Sequence, residues 1–276
     1  MHSHEQLQAL AHTLRRHVFT AIGPGGMGHI GGAFSAAEVV VALYFSKMRH
    51  NPAQPHWPGR DRFILSKGHA AVLQYAALAQ AGYFPVDELP TFKQIGSRLQ
   101  GHPDMTKTPG IDASSGSLGQ GLSVGLGMAL GLRLDAAGSE APKVYVLLGD
   151  GELAEGQVWE AAMAATAYQA AGLVAIVDRN HKQAQGATAD RFPIDNIPEK
   201  WAAFGWRVLH ANGHCIESLL TALDAVEPGH TGPPTVIIAE TVKGKGMAAA
   251  EAHEAGYHNW LLSPEEYAQE TGGIPA

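Results

Sequence analysis

The 276-residue chain is long enough for one large domain or two small ones around a continuous apolar core. Its charged fraction of 16% falls below the usual ~25% and its 33 glycines, about 12%, exceed the usual ~7%, which points to surface hidden in an assembly and to backbone approaching a ligand closely. A net charge of −7 gives nucleic acid no basic footprint, one cysteine excludes a disulfide framework or a cysteine-based zinc cluster, and neither an apolar signal segment nor a run of about 18 apolar residues occurs; a cytoplasmic protein with no membrane or nucleic-acid partner is expected.

The predicted elements begin with a helix over 4–21. Ser35-Ala36-Ala37-Glu38 reads as a capping box before the apolar run from Val39 to Phe45, so a second helix is expected there. Arg62 to Leu65 is a short strand, followed after Gly68 by a helix through Gln80. A loop with prolines and glycines covers roughly 96–117, ahead of a glycine-laced helix from Gly119 to about Ala136. Val144 to Leu148 suits a strand buried on both faces; after the Gly149-Asp150-Gly151 turn, residues 153–171 are alanine-rich and helical, and Leu173 to Val177 is a second buried strand. Trp206 to His210, a helix near 215–226 and Thr235 to Ala239 repeat the alternation, and Ser263-Pro264-Glu265-Glu266 starts a last short helix. Such βαβ units give an α/β fold, an open and mostly parallel sheet flanked by helices, with 1–276 read as a single domain.

In such a sheet, ligands bind beyond the carboxyl ends of the strands. Two strand ends of one βαβ unit deliver Asp150 and Asn180 to that edge, a carboxylate and an amide oxygen suited to Mg2+ or Ca2+. So few protein ligands leave positions for phosphate oxygens and water, and Gly149 and Gly151 carry no side chain to obstruct a bulky anion. Taken alone, Gly149-Asp150-Gly151 is more often an ordinary tight turn. Of the 15 histidines, His29 and His102 stand beside glycines in segments that read as loops, which favours access over core packing. Glu152 and Glu160 read as solvated or capping charges; Lys243 and Lys245, in the Lys-Gly-Lys-Gly loop, could approach phosphate but read more simply as exposed lysines flanked by glycine. His253 and His258 are five apart, whereas H-E-x-x-H needs four on one helix face, and Cys215 reads as a small apolar residue starting a helix.

The spacing narrows the reading. Gly149-Asp150-Gly151, then 28 residues (152–179), then Asn180 matches the thiamine diphosphate-binding fingerprint. The chain resembles the N-terminal, diphosphate-binding half of transketolase, and looks most like the N-terminal subunit of a split transketolase. The likeness is collinear through GHIGGAFSAAEVVVALYF (28–45), RDRFILSKGHAAVLQYAALAQAGYF (60–84), GHPDMTKTPGIDASSGSLGQGLSVGLGMAL (101–130), GDGELAEGQVWEA (149–161), Asp178 with Asn180, and TVKGKG (241–246).

The resemblance implies that Asp150 and Asn180, with the backbone carbonyl of Lys182, hold Mg2+ (or Ca2+), and that Gly151 leaves room for the diphosphate. It implies that His69 contacts the phosphate end of the cofactor and that the Gly116-Ser117-Leu118 turn meets the aminopyrimidine through backbone groups. His29, His102 and His258 would line the channel for sugar hydroxyls, although Asn259-Trp260 follows His258 where the family often has His-Gly. Glu155 matches a family glutamate at the interface between two active sites, and reads equally as a first-turn glutamate favoured by the helix dipole.

The implied activity is transfer of a two-carbon glycolaldehyde unit from a ketose, phosphorylated or otherwise modified (sulfonated, for example), to an aldose through thiamine diphosphate. Imidazoles, ordinarily titrating at pH ~6.5, suit the proton transfers this needs. In the family the glutamate that activates the aminopyrimidine belongs to a separate pyrimidine-binding domain, for which this chain has no room. The expected partner is therefore a C-terminal transketolase subunit carrying that domain, in an α2β2 heterotetramer. The alternatives are a component of a thiamine-dependent 2-oxo acid or acyloin enzyme, and a non-catalytic scaffold subunit.

Overall fold

The computed structural model describes residues 2–136 and 141–273. Its central sheet has five parallel strands, β1 (Arg62–Leu65), β2 (Val144–Gly149), β3 (Leu173–Arg179), β4 (Arg207–Asn212) and β5 (Thr235–Glu240), in the spatial order β1-β2-β3-β5-β4. The helices are α1 (His4–Ile22), α2 (Ile30–Ser35), α3 (Ala37–Ala42), α4 (Ala71–Ala81), α5 (Gln120–Asp135), α6 (Gly156–Ala167), α7 (Thr188–Arg191), α8 (Ile197–Ala203), α9 (Ile216–Asp224), α10 (Ala248–Ala252) and α11 (Pro264–Gly273).

β2 and, up to Val177, β3 are apolar because helices cover both of their faces. Tyr145, Leu147, Val174 and Ile176 point into a core shared with α1, α3, α4 and α9. Val144, Val146, Leu148, Ala175 and Val177 alternate with them into a second core, shared with α5, α6 and α8. The chain passes the place of β5 on its way from β3 to β4, then returns to fill it. A right-handed connection on that return puts α9 on the face opposite α6 and α8. α5 rests directly on β2: a Cβ added at Gly125 would lie 2.5 Å from Val146 Cγ2, so only glycine permits this approach.

Two expectations fail for physical reasons. The capping box does not form, because both of its side chains are claimed elsewhere: Ser35 ends α2 and donates its hydroxyl to Asp178 Oδ2 (2.6 Å), while buried Glu38 pairs with Arg15 (2.7 Å). Short α3 and a π turn (Leu43–Lys47) follow in place of one run from Val39. The alanine-rich helix is shorter than 153–171, since a 3-10 turn (Gly151–Ala154) precedes α6. Between β3 and β4 lie a small hairpin (Lys182–Gln183 paired with Gly186–Ala187), α7 and α8, none of which local sequence signalled. No described helix is long and apolar enough to cross a membrane.

Candidate active site

The carboxyl edge of the sheet gathers Lys67 after β1, Asp150 after β2, Asn180 after β3, and Thr241 and Lys243 after β5. At its centre is Asp178, fully buried near the end of β3. Its carboxylate accepts from Ser35 Oγ (2.6 Å), Lys67 Nζ (2.6 Å), Asn180 Nδ2 (2.8 Å) and Thr241 Oγ1 (2.5 Å). Burial alone would raise its pKa, but the Lys67 charge and these donors hold it below the usual carboxylate range. Lys67, also buried, donates a second bond to Gly32 O (2.7 Å). Because Asp178 takes the amide nitrogen of Asn180, Asn180 Oδ1 is left as an acceptor, here for Lys182 N (3.1 Å).

Asp150 is arranged differently. It is 3% exposed and accepts from Gly151 N (2.7 Å) and His181 N (2.5 Å), the latter held at φ 61. No ion pair reaches it among the described residues. Burial first, then the charge of Asp178, pushes its pKa up to about 6, against the pull of the two N–H donors. A buried carboxylate without a cationic partner beside an amide oxygen that keeps a second lone pair is a donor set for a hard cation. The carbonyl of Lys182, the third expected ligand, receives Lys243 Nζ (3.2 Å) and retains a second lone pair.

The four histidines of the sequence reading converge. Ring centroids of His69 and His258 lie 4.9 Å apart, His29 lies 5.2 Å from His69 and 5.3 Å from His258, and His102 lies 6.4 Å from His29. All four titrate below the ordinary imidazole range. Burial foremost, then the Lys67 charge, lowers His69 to about 2; burial and then Lys93 lower His29 to about 4; burial and then Lys243 lower His258 to about 4; His102 falls for the reasons that act on His29. The cluster is therefore neutral at pH 7. The Asn259-Trp260 departure does not displace His258. Trp260 stacks on Tyr257 (4.0 Å) and pairs with Gly28, which fixes His258 beside His29.

A cavity of about 150 Å³ opens here, lined by His69, Leu118, Gly151, Asp150, Asn180, Lys182, Gln183, Lys243 and His258. A roomier recess of about 690 Å³ between Glu88 and Lys107 is open to solvent and holds none of these groups. Gly116 packs against His102, where an added Cβ would come within 3.1 Å of the ring; Ser117 is exposed. Glu155 is exposed at the start of α6 and does not line the cavity.

Two charges read as solvated are buried. Glu152 is 2% exposed and accepts from Ser66 Oγ (2.5 Å), Gly119 N (2.8 Å) and Gly149 N (3.0 Å), stapling three loops of the site together. Lys243 is also 2% exposed; burial lowers its pKa to about 8, and its Nζ donates to the carbonyls of Lys182 and Gln183 and lies 3.3 Å from His258 Nδ1. Lys67 and Asp178 had no assigned role, although a charge abutting an all-apolar strand was a readable signal. His253 accepts from Ala255 N and packs on Trp260, and among the described residues no three His, Cys, Asp or Glu side chains group as a metal site.

The family described as transketolase, thiamine diphosphate binding domain, matches residues 6–271. This chain belongs to the transketolase family. It is 42% identical to the 6-deoxy-6-sulfo-D-fructose transketolase subunit SqwG of Clostridium sp. (strain MSTE9), over 94% of this chain and 92% of that protein. It is 41% identical to an apulose-4-phosphate transketolase subunit of Actinobacillus succinogenes, over 93% and 91% respectively. The crystal structure of Campylobacter jejuni transketolase superposes with a TM-score of 0.88 at 31% identity, covering 99% of this chain and 43% of the other. The chain is a transferase subunit of transketolase type, and its matched domain is the one that binds thiamine diphosphate.

Proposed function

We propose that this chain is the diphosphate-binding half of a two-subunit transketolase that moves a two-carbon glycolaldehyde unit from a ketose to an aldose. The observation that carries the reading is the unpaired buried carboxylate of Asp150 and the buried ammonium of Lys243 facing one cavity beside four neutral histidines. Asp150, Asn180 Oδ1 and the carbonyl of Lys182 would hold Mg2+, or Ca2+ in its place, and Lys243 would face the diphosphate. Thiamine diphosphate, when bound, supplies an electron sink for breaking and making a carbon–carbon bond beside a carbonyl.

The chain's own residues do the rest. Lys243 can only donate, so the Nδ1 of His258 beside it is the acceptor and Nε2–H is free to donate to a sugar oxygen. The neutral His29 and His102 bind hydroxyls, take the proton that the donor hydroxyl loses as the bond breaks, and return one to the acceptor's carbonyl oxygen, while His69, in the cavity with Asp150 and Gly151, would contact the phosphate end of the cofactor. The named substrates of the two subunit relatives, a sulfonated and a phosphorylated sugar, favour a ketose with an anionic tail. The same reading places the reaction in the cytoplasm.

Coverage of about nine-tenths of the subunit relatives but 43% of a single-chain transketolase supports a separate partner bearing the pyrimidine-binding domain and its activating glutamate, in an α2β2 assembly. The outward stripes of α5 (Val124, Gly127, Gly131, Leu134) and α6 (Gly156, Glu160, Met163, Ala167) are exposed and, Glu160 apart, uncharged, as a docking face would be, and Glu155 stands at the start of α6. The test is reconstitution with the partner subunit, Mg2+ and the cofactor. Two-carbon transfer from a ketose is expected with the partner and not without it, and Asp150→Ala should lose both turnover and Mg2+-linked cofactor uptake while still assembling. Turnover by the chain alone, or undiminished activity in Asp150→Ala, would refute the proposal.

A further inference from the structure

Gln183 is the part of the cavity wall left without a task by the chemistry above. It lines the same cavity as Asp150, Asn180 and Lys243. Its hairpin is pinned, because Lys243 Nζ donates to the carbonyls of both Lys182 (3.2 Å) and Gln183 (3.0 Å). Its side chain lies over the Gly149-Asp150-Gly151 turn: a Cβ at Gly151 would come within 2.9 Å of Gln183 Cγ and 3.5 Å of Cδ. The bare glycine is thus what admits the Gln183 side chain. Gln183 Nε2 is buried and has no hydrogen-bond partner among the described residues.

A buried amide nitrogen without an acceptor is costly, and native proteins rarely leave one unless something outside the chain completes it. An amide nitrogen only donates, so its missing partner must bring an acceptor oxygen. No oxygen of the described residues, those of Asp150 included, lies where it can accept from this nitrogen. Of the groups the proposed function brings into this cavity, the diphosphate is the one rich in acceptor oxygens. We propose that Gln183 is a diphosphate-binding residue, its side-chain amide donating to a phosphate oxygen of the cofactor. This rests on the cavity being the thiamine diphosphate site.

The test is calorimetric, on the full chain in its native assembly with Mg2+, using thiamine diphosphate and, separately, inorganic pyrophosphate. Gln183→Leu removes the donor at similar length, and Gln183→Glu substitutes an anion. Gln183→Leu should weaken both ligands by a similar factor, roughly 10- to 100-fold, and Gln183→Glu by more. Because the amide nitrogen is unsatisfied in the unliganded protein, the melting temperature of unliganded Gln183→Leu should equal or exceed that of the parent protein. Affinity within about twofold of the parent, a loss confined to thiamine diphosphate, or an unliganded melting temperature that falls along with affinity would overturn the assignment. Failure of the parent protein itself to take up the cofactor would instead remove the functional reading on which it rests.

Discussion

Replacing Lys67 by methionine isolates the charge that holds the sheet edge together. The Lys67 and Asp178 side chains are 2% and 0% exposed, with Nζ 2.6 Å from Oδ2. At an effective dielectric near 20, two charges at that distance attract by about 6 kcal/mol, a gain set against the cost of taking both out of water. Lys67→Met keeps an unbranched stem in place but leaves Asp178 ionised with only the neutral donors Ser35, Thr241 and Asn180. Stranding a buried charge in this way costs about 3–5 kcal/mol, and the three remaining donors place the expectation near 3. For a chain of this size that is a fall in melting temperature of roughly 6–12 °C. Asp178→Asn should destabilise comparably by stranding the ammonium, and the double variant should lose much less than the sum of the two. Urea unfolding of the four proteins at pH 7 measures this cycle. Single variants within about 1 kcal/mol of the parent, or an additive double variant, would refute the account of the edge as an ion-paired hub.

Two further expectations concern titration. Burial would raise the pKa of Glu38, yet hydrogen bonds from His214 and Arg15 and the Arg15 charge outweigh it and lower the pKa to about 2 from an ordinary 4.5. A depressed folded-state pKa stabilises above the unfolded value, so this contribution, about 3 kcal/mol, should be intact above pH ~4.5 and lost as pH falls towards ~2. Glu38→Gln should therefore be less stable at pH 7 but less sensitive to acid over that window; equal acid sensitivity of the two proteins by thermal melting would contradict it. Ring-resonance NMR of the unliganded chain should find His29, His69 and His258 neutral from pH ~8 down to pH ~5, and added Mg2+ pyrophosphate should raise their pKa values because a nearby anion favours imidazolium. Titration of any of the three at pH ~6.5 without ligand would show that the cluster is wetter and less charged around than the structure has it.

What could be read in advance follows from how far apart the decisive partners are. β2 and β3 were legible because a strand covered on both faces has to be apolar, and runs like Val144 to Leu148 and Leu173 to Val177 have few other uses. The placement of Asp150 and Asn180 at the carboxyl edge of the sheet was legible because they follow those strands directly. Glu152 and Lys243 were misread because a charge beside a glycine looks like a solvated loop until the rest of the edge is in place. Their burial depends on Ser66, Gly119, Lys182 and Gln183, which come from other loops. Ser35 and Glu38 failed for the same reason, since a local capping pattern was overridden by partners 143 and 23 residues away. The neutral state of the histidines was also out of reach, because it comes from burial and from Lys67, Lys93 and Lys243 rather than from any neighbour in the chain.

The same electrostatics bear on how the site would load. Lys67 and Asp178 are in contact, but Asp150 and Lys243 attract one another only across the cavity that both face: each is almost fully buried and neither has an ion pair among the described residues. Burial moves Asp150 up to about 6 and Lys243 down to about 8, each towards its neutral form. On the proposed reading, Mg2+ entering alone would meet Asp150 but also the buried ammonium of Lys243, and a diphosphate entering alone would meet Lys243 but also the carboxylate. Either would leave a buried like-charge contact, which is expensive in a medium of low polarity. Entering together, the cation would be held by Asp150 and the diphosphate would face Lys243, so that no buried charge would be left single. The strong coupling between metal and cofactor expected of this cavity thus follows from two residues that local sequence treated very differently, an aspartate in a recognisable turn and a lysine that looked solvated.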